Sequence, residues 1–205
     1  MDASDWDARY AGADLVWSAG PNLWVRELCS PLPAGRALDV AAGEGRNALW
    51  LVEQGWSVTA ADYSAVAVSR VAAIADERLD AGARERLEAV VADATQPAPG
   101  SGLDLVLFSY LHLPAEEWGR AVAAGVEATA VGGHVLVVAH ARRNLTAGVG
   151  GPQDPAILLD PEDVLASVAG LPVVVELAQL RARDVDGADR PALDAVVLLR
   201  RVEAA

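Results

Sequence analysis

The chain has a single cysteine, Cys29, among 205 residues. One thiol builds no disulfide framework and no cysteine-based metal site, so Cys29 reads as a small hydrophobe on a helix face. Positive charge is also scarce. Sixteen basic residues stand against 29 acidic ones, a net charge of −13. An acidic surface repels the phosphates of nucleic acids and of anionic lipids, so neither is expected as a partner. No apolar run approaches the roughly 20 residues that span a bilayer. The opening MDASDWDARY is acidic and polar, unlike a secretory leader. The expected location is therefore the cytoplasm. No segment repeats and no linker divides the chain, so one domain over 1–205 is expected. What is abundant is apolar: 53% of the residues are hydrophobic, enough for a sizeable core.

The most informative stretch is ALDVAAGEGRNALWL, Ala37 to Leu51. The run Ala37–Val40 reads as a buried strand, and Arg46 begins a helical pattern that lasts to about Gln54. Between them lie Ala41, Ala42, Gly43, Glu44 and Gly45. Strand, glycine turn and helix open a nucleotide-binding βαβ unit. Glycine lets the backbone turn sharply near a ligand, and the helix start offers unpaired N–H groups. Gly43, Gly45 and Ala48 fit the dinucleotide spacing G-x-G-x-x-G/A, which keeps a nicotinamide-dependent oxidoreductase open as an alternative. The charges oppose it. Asp39 ends the strand and Glu44 sits between the glycines, where a pyrophosphate would be repelled and a cationic ligand favoured. S-adenosylmethionine carries an ammonium and a sulfonium. The stretch resembles motif I of the class I S-adenosylmethionine-dependent methyltransferases, D/E-x-G-x-G-x-G, here Asp39-x-Ala41-x-Gly43-x-Gly45. Alanine replaces the first glycine.

Further along, residues 56–61 read as a second strand ending in Asp62-Tyr63-Ser64. Asp62 lies about 20 residues past the glycines, where this architecture puts a ribose-binding acid. Ser64 is the better candidate for capping the next helix, 65–80. Leu87–Val91 is strand three, followed by Ala92-Asp93-Ala94. Leu103–Phe108 is strand four, apolar as a central parallel strand should be, and it leads into Ser109-Tyr110-Leu111-His112. A helix follows Pro114, with Gly132-Gly133 at its end. His134–Ala139 is strand five, His140 follows it, and a Gly/Pro-rich loop spans 148–155. Pro161 starts another helix. Strands at 172–180 and 193–200, joined by a polar turn from Arg181 to Pro191, form an antiparallel hairpin. Near the N-terminus, Pro21 opens a helix to about Ser30. The expected fold is α/β and doubly wound, a seven-stranded, mostly parallel sheet with an antiparallel C-terminal hairpin.

The resemblance covers most of the chain and is similar to the small bacterial branch that includes the tellurite-resistance and thiopurine-type methyltransferases. It implies an S-adenosylmethionine site formed by Asp39, Ala41, Gly43 and Gly45, with Arg46 and Asn47 near the methionine moiety. Asp62 would accept the ribose hydroxyls and Tyr63 would pack on the adenine. Asp93 would take the exocyclic amine, with the Ala94 N–H on a ring nitrogen. Ser109 borders the same crevice. Residues 1–30 would form an N-terminal cover, to which Trp6, Tyr10 and Trp17 bring aromatic walls or anchors. The 148–155 loop would cover the acceptor pocket.

The implied activity is methyl transfer to a small-molecule acceptor, by a monomer or homodimer, with no metal. Direct displacement needs a near-attack geometry above all. A base matters only for an acceptor that arrives protonated. His112 and His140, after strands four and five, and Tyr110 are the catalytic candidates. His134 begins strand five at the opposite end and reads as structural. A non-catalytic S-adenosylmethionine-binding protein is the third reading.

Overall fold

The computed structural model describes residues 3–11 and 20–204. In chain order these form α1 (Ala3–Ala11), α2 (Leu23–Cys29), β1 (Arg36–Val40), α3 (Arg46–Glu53), β2 (Ser57–Asp62), α4 (Ala65–Arg78), α5 (Ala81–Arg84) and β3 (Leu87–Val91). They continue with β4 (Leu103–Ser109), α6 (Ala115–Ala128), β5 (Thr129–His140), α7 (Asn144–Ala147), α8 (Pro161–Ser167), β6 (Val173–Arg183) and β7 (Ala192–Arg201). The sheet has seven strands in the order β3-β2-β1-β4-β5-β7-β6. β1 to β5 run parallel, and β7 lies antiparallel between β5 and β6. The order reverses direction at β1, so the carboxyl ends of β1 and β4 flank the crevice where such sheets take ligands.

Alternation along the central strands builds two cores. Ala37, Leu105, Leu107 and Leu136 face α2, α3 and α4, among Trp24, Val25, Leu49 and Val71. Leu38, Val40, Val106 and Phe108 face α6 and α8, among Trp118, Val122 and Val164. Both faces are covered, which is why these strands read as unbroken apolar runs. Phe108 meets Trp118 edge to face at 5.5 Å.

Three element boundaries differ from expectation. α2 begins at Leu23 rather than Pro21, because Asn22 is the cap: its side chain accepts from the N–H of Trp24 and of Val25. α6 ends at Ala128, not at Gly132-Gly133, because Thr129 turns extended and starts β5. The two glycines lie inside β5, where the register with β4 slips between Leu103 and Leu105. Gly133 packs so close to the Leu103 carbonyl that a Cβ would lie 2.7 Å from it. β6 runs on to Arg183, which shortens the hairpin turn and carries that arginine into the sheet.

The turn after β1 is left-handed at three alternate positions: Ala41 (φ 57), Gly43 (φ 57) and Gly45 (φ 78). At Gly45 a Cβ would stand 3.0 Å from a Val71 methyl. At Ala41 the chain tolerates a Cβ in a conformation that costs an L-residue about 1 kcal/mol. Ala41→Gly should therefore raise stability by about 0.5–1 kcal/mol in urea denaturation. Lower stability would show that the Ala41 methyl packs usefully enough to outweigh its strain.

Candidate active site

The first part of the site is the β1–α3 turn. Asp39 is fully buried. One of its oxygens accepts from the Ala48 N–H at 3.1 Å, and the other, Oδ1, is buried with no hydrogen-bond partner. Burial pushes its carboxyl up to about 7, against the Ala48 N–H and Arg46, which pull it down; Asp62 adds to the rise. Glu44, also buried, is ion-paired with Arg70 at 2.5 Å. Its charge is thus answered from α4, and the unanswered carboxylate oxygen at the turn belongs to Asp39. Asn47 is buried, and its Oδ1 accepts from the Asn22 N–H at 2.8 Å, tying α3 to the segment before α2.

Asp62 ends β2. Its oxygens accept from the N–H of Gly43 at 2.8 Å and of Ser64 at 2.9 Å, so it braces the glycine turn. Burial raises its carboxyl above the usual range despite these bonds. Ser64 does cap α4, accepting from the Ala67 N–H at 3.1 Å, and its hydroxyl donates to Asp7 of α1. After β3, Asp93 is exposed, and Oδ1 accepts from both the N–H and the hydroxyl of Thr95. Beside it opens an apolar recess lined by Val40, Ala61, Ala92, Ala94 and Phe108. In α1, Trp6 stacks on Tyr10 at 5.6 Å, and Tyr10 is buried. Trp17 lies outside the described residues.

The second part lies at the ends of β4, β5 and β7. Tyr110 takes a left-handed backbone, φ 59, uncommon outside glycine. The Tyr110 ring stacks on His140 at 4.4 Å, and the His112 ring lies parallel to His140 at 5.7 Å. The three catalytic candidates are therefore one cluster. Burial, reinforced by His140, pushes His112 down to about 4, so it is neutral near neutral pH. Burial and Asp194 push the Tyr110 hydroxyl well above its ordinary value. His134, at the other end of β5, pairs with Glu176 at 3.2 Å.

Sequence reasoning missed the centre of this cluster, Asp194. It is fully buried and paired in register with His140. Its Oδ2 accepts from Trp24 Nε1 at 2.9 Å, Tyr110 Oη at 3.0 Å and Arg183 Nε at 3.0 Å. Burial alone would raise its carboxyl; the contacts with His140, Arg183 and Trp24 outweigh that and hold it below the usual range. The available signal was an acid inside the apolar run Leu193–Leu199. Arg183 and Arg46 each hold a guanidinium about 6 Å from the Tyr110 ring centre, at 6.0 and 5.9 Å. The 148–155 loop reaches the same cluster. Gly151 lies against His140 so closely that a Cβ would be 2.9 Å from the ring. Asn144 anchors the loop by donating to the carbonyls of Val149 and Gly150.

Among the described residues, seven side-chain polar atoms are buried without a hydrogen-bond partner, and five belong to Asp39, Ser109, His112, His140 and Asp194. All five stand on the crevice side of the sheet. Buried polar groups are normally satisfied, so their concentration makes this the candidate place for a ligand. The described residues contain no cluster of side chains that could hold a metal ion, and no helix among them is long and apolar enough to cross a membrane.

The fold is that of class I S-adenosylmethionine-dependent methyltransferases. A family model described as "Methyltransferase domain" matches residues 37–133. A structure from work on the conversion of a disulfide bond into a thioacetal group during echinomycin biosynthesis superposes with TM-score 0.77, at 21% identity over 98% of this chain and 91% of that one. The Burkholderia thailandensis 1,6-didemethyltoxoflavin N1-methyltransferase, with bound S-adenosylhomocysteine, gives 0.70 at 18% identity over 98% and 87%. TehB from Haemophilus influenzae gives 0.70 at 17% identity over 98% and 68%. At these identities the likeness is one of fold. No curated protein matches the chain.

The Asp39 carboxyl yields a pH test in the ligand-free protein. Its folded value near 7 lies above its ordinary 3.8. Between these values the folded state binds the extra proton, so this group makes stability fall as pH rises from about 4 to about 7. Below that window the contribution is complete and no longer varies with pH, and above it the contribution is lost. Asp39→Asn should flatten that part of the profile in urea titrations at pH 4, 5, 6 and 7. Parallel profiles for the two proteins would show that Asp39 is ionised throughout.

Proposed function

We propose that the chain transfers a methyl group from S-adenosylmethionine to a small-molecule acceptor. The observation that carries this reading is the Asp39 oxygen left buried and unpartnered beside the glycine turn. A cationic donor satisfies that oxygen and holds the carboxylate ionised, and the ammonium of S-adenosylmethionine is such a donor. A pyrophosphate brings only acceptors to it, which disfavours the oxidoreductase reading. When bound, the cofactor supplies an electrophilic methyl on a sulfonium.

The residues then divide the work. Asp39, Ala41, Gly43 and Gly45 cradle the methionine moiety, with Arg46 and Asn47 at the helix start. Asp62 keeps its brace on Gly43 and offers its remaining lone pairs to the ribose hydroxyls. Tyr63, Asp93 and the Ala94 N–H surround the adenine at the apolar recess. Ser109 lines the crevice. Tyr110, His112 and His140 face the acceptor, and the 148–155 loop closes against His140. The described part of the N-terminal segment, α1 and residues 20–30, covers the cofactor, on a single domain in the cytoplasm. The tellurite-resistance and thiopurine-type branch is one of several distant likenesses and leaves the acceptor open.

Calorimetry with S-adenosylhomocysteine and, separately, with NAD tests the reading. Micromolar binding of S-adenosylhomocysteine with no heat from NAD is expected. Binding of NAD alone would replace the methyltransferase reading with an oxidoreductase. Asp62→Asn should weaken S-adenosylhomocysteine about tenfold, the loss expected for a hydrogen bond to a charged group, with the fold checked by thermal melting. Unchanged affinity would remove Asp62 from the ribose.

A further inference from the structure

Two of the unpartnered buried atoms face each other. His140 Nδ1 lies 3.5 Å from Asp194 Oδ1, and neither has a hydrogen-bond partner in the described structure. The other Asp194 oxygen is filled by three donors, from Trp24, Tyr110 and Arg183. Oδ1 is thus the one oxygen left to receive a proton donor, and the imidazole edge presented to it is Nδ1. Were Nδ1 unprotonated, a lone pair and a carboxylate would confront each other in a buried site, a costly arrangement. A proton on Nδ1 removes the conflict. The neutral ring then carries its free lone pair on Nε2. The separation is at the outer limit for a hydrogen bond, as such contacts often are before substrate tightens them.

We infer that Asp194 is a positioning residue that holds His140 as its Nδ1–H tautomer, making Nε2 the proton acceptor for a methyl acceptor that binds as a hydroxyl or an ammonium. The inference rests on the methyltransferase reading for its substrate and on the geometry alone for its base. The proton passes from the acceptor's oxygen or nitrogen to Nε2. The pair that held it stays on that atom as the nucleophile, and the imidazolium later returns the proton to solvent. Asp194 answers the positive charge that His140 carries meanwhile, as in other carboxylate–histidine pairs. An acceptor that arrives as a thiolate or chalcogen anion has no use for this arrangement.

The surroundings fix the ring in place. Tyr110 stacks on it, and Gly151 with φ 75 approaches where no larger residue fits. His112, parallel to it, is neutral and adds no competing charge. The charged groups gathered around the Tyr110–His140 stack are Asp194, Arg183 and Arg46. The side chain of His140 keeps 13% of its surface accessible although Nδ1 is buried, so its exposure falls away from the Asp194 side.

Long-range proton–nitrogen correlation spectra of the ¹⁵N-labelled, ligand-free protein read the tautomer directly. His140→Gln assigns the signals, and the spectra are taken at a pH where the ring is neutral. The expected result is a protonated Nδ1 and an unprotonated Nε2 in the wild type, with that preference lost in Asp194→Asn. A wild-type ring protonated on Nε2 would overturn the inference without any variant. So would an Asp194→Asn protein that folds and keeps the Nδ1–H tautomer. The experiment needs no cofactor, so its failure is separate from failure to bind S-adenosylhomocysteine.

Discussion

A buried carboxylate without a full set of partners is the constraint around which the β1–α3 turn is built. Asp39 sits in β1, an interior strand of the sheet, closed off from water, with one oxygen spent on the N–H of Ala48. Leaving a polar atom in that state lowers stability by an amount comparable to a lost hydrogen bond. The turn beside it is strained at Ala41 as well. Strain and unmet polarity accumulate where a ligand is to be met. The neighbouring carboxylates are treated differently: Glu44 is paired with Arg70, and Asp62 is spent on bracing Gly43 and Ser64. Of these three carboxylates Asp39 alone keeps a buried oxygen without a hydrogen-bond partner among the described residues, and on the proposed reading that oxygen meets the cofactor's ammonium.

Asp194 is the counterpart at the other end of the crevice. It ties four separate segments together: α2 through Trp24, the end of β4 through Tyr110, the end of β5 through His140, and β6 through Arg183. The antiparallel placement of β7 makes this possible. A parallel strand would bring its far end, not its beginning, to the crevice. Because β7 runs the other way, its third residue stands opposite His140, the last of β5. The hairpin thus supplies Asp194 to the crevice, the side that the proposed reading gives to the acceptor, while the parallel half supplies the glycine turn.

The fold was legible because its signals are local. Apolar runs flanked by glycine and proline marked β1 to β4, and Ala37–Val40 with the glycines marked the turn. The boundaries that shifted were those where a tertiary contact overrides local chemistry. Gly132-Gly133 reads as a helix end by itself, and it is the pairing of Leu103 and Leu105 with β5 that makes it part of a strand. Candidate site residues at strand ends, such as Tyr110, His112 and His140, were visible because topology alone brings them to the crevice. Asp194 and Arg183 were not. Asp194 meets His140 through the register of β5 and β7, and Arg183 meets Asp194 through that of β6 and β7, and no spacing along the chain encodes either register.

The same distinction explains why the cofactor is easier to read than the acceptor. On the proposed reading the cofactor half starts from one local motif, Asp39 and the glycines within one turn, and its remaining members, such as Asp62 and Asp93, stand at the ends of successive strands. The acceptor half is built from side chains more than 80 positions apart, such as Tyr110 and Asp194, and Asn22 and Tyr110. Substitutions there change the shape of the crevice without disturbing a motif. The half that the proposed reading gives to the acceptor gathers a carboxylate, two imidazoles, a phenol and two guanidiniums within a few contacts of one another. That composition suits an acceptor that exchanges a proton and hydrogen-bonds on entry, and it is poorly matched to one that enters as an apolar body.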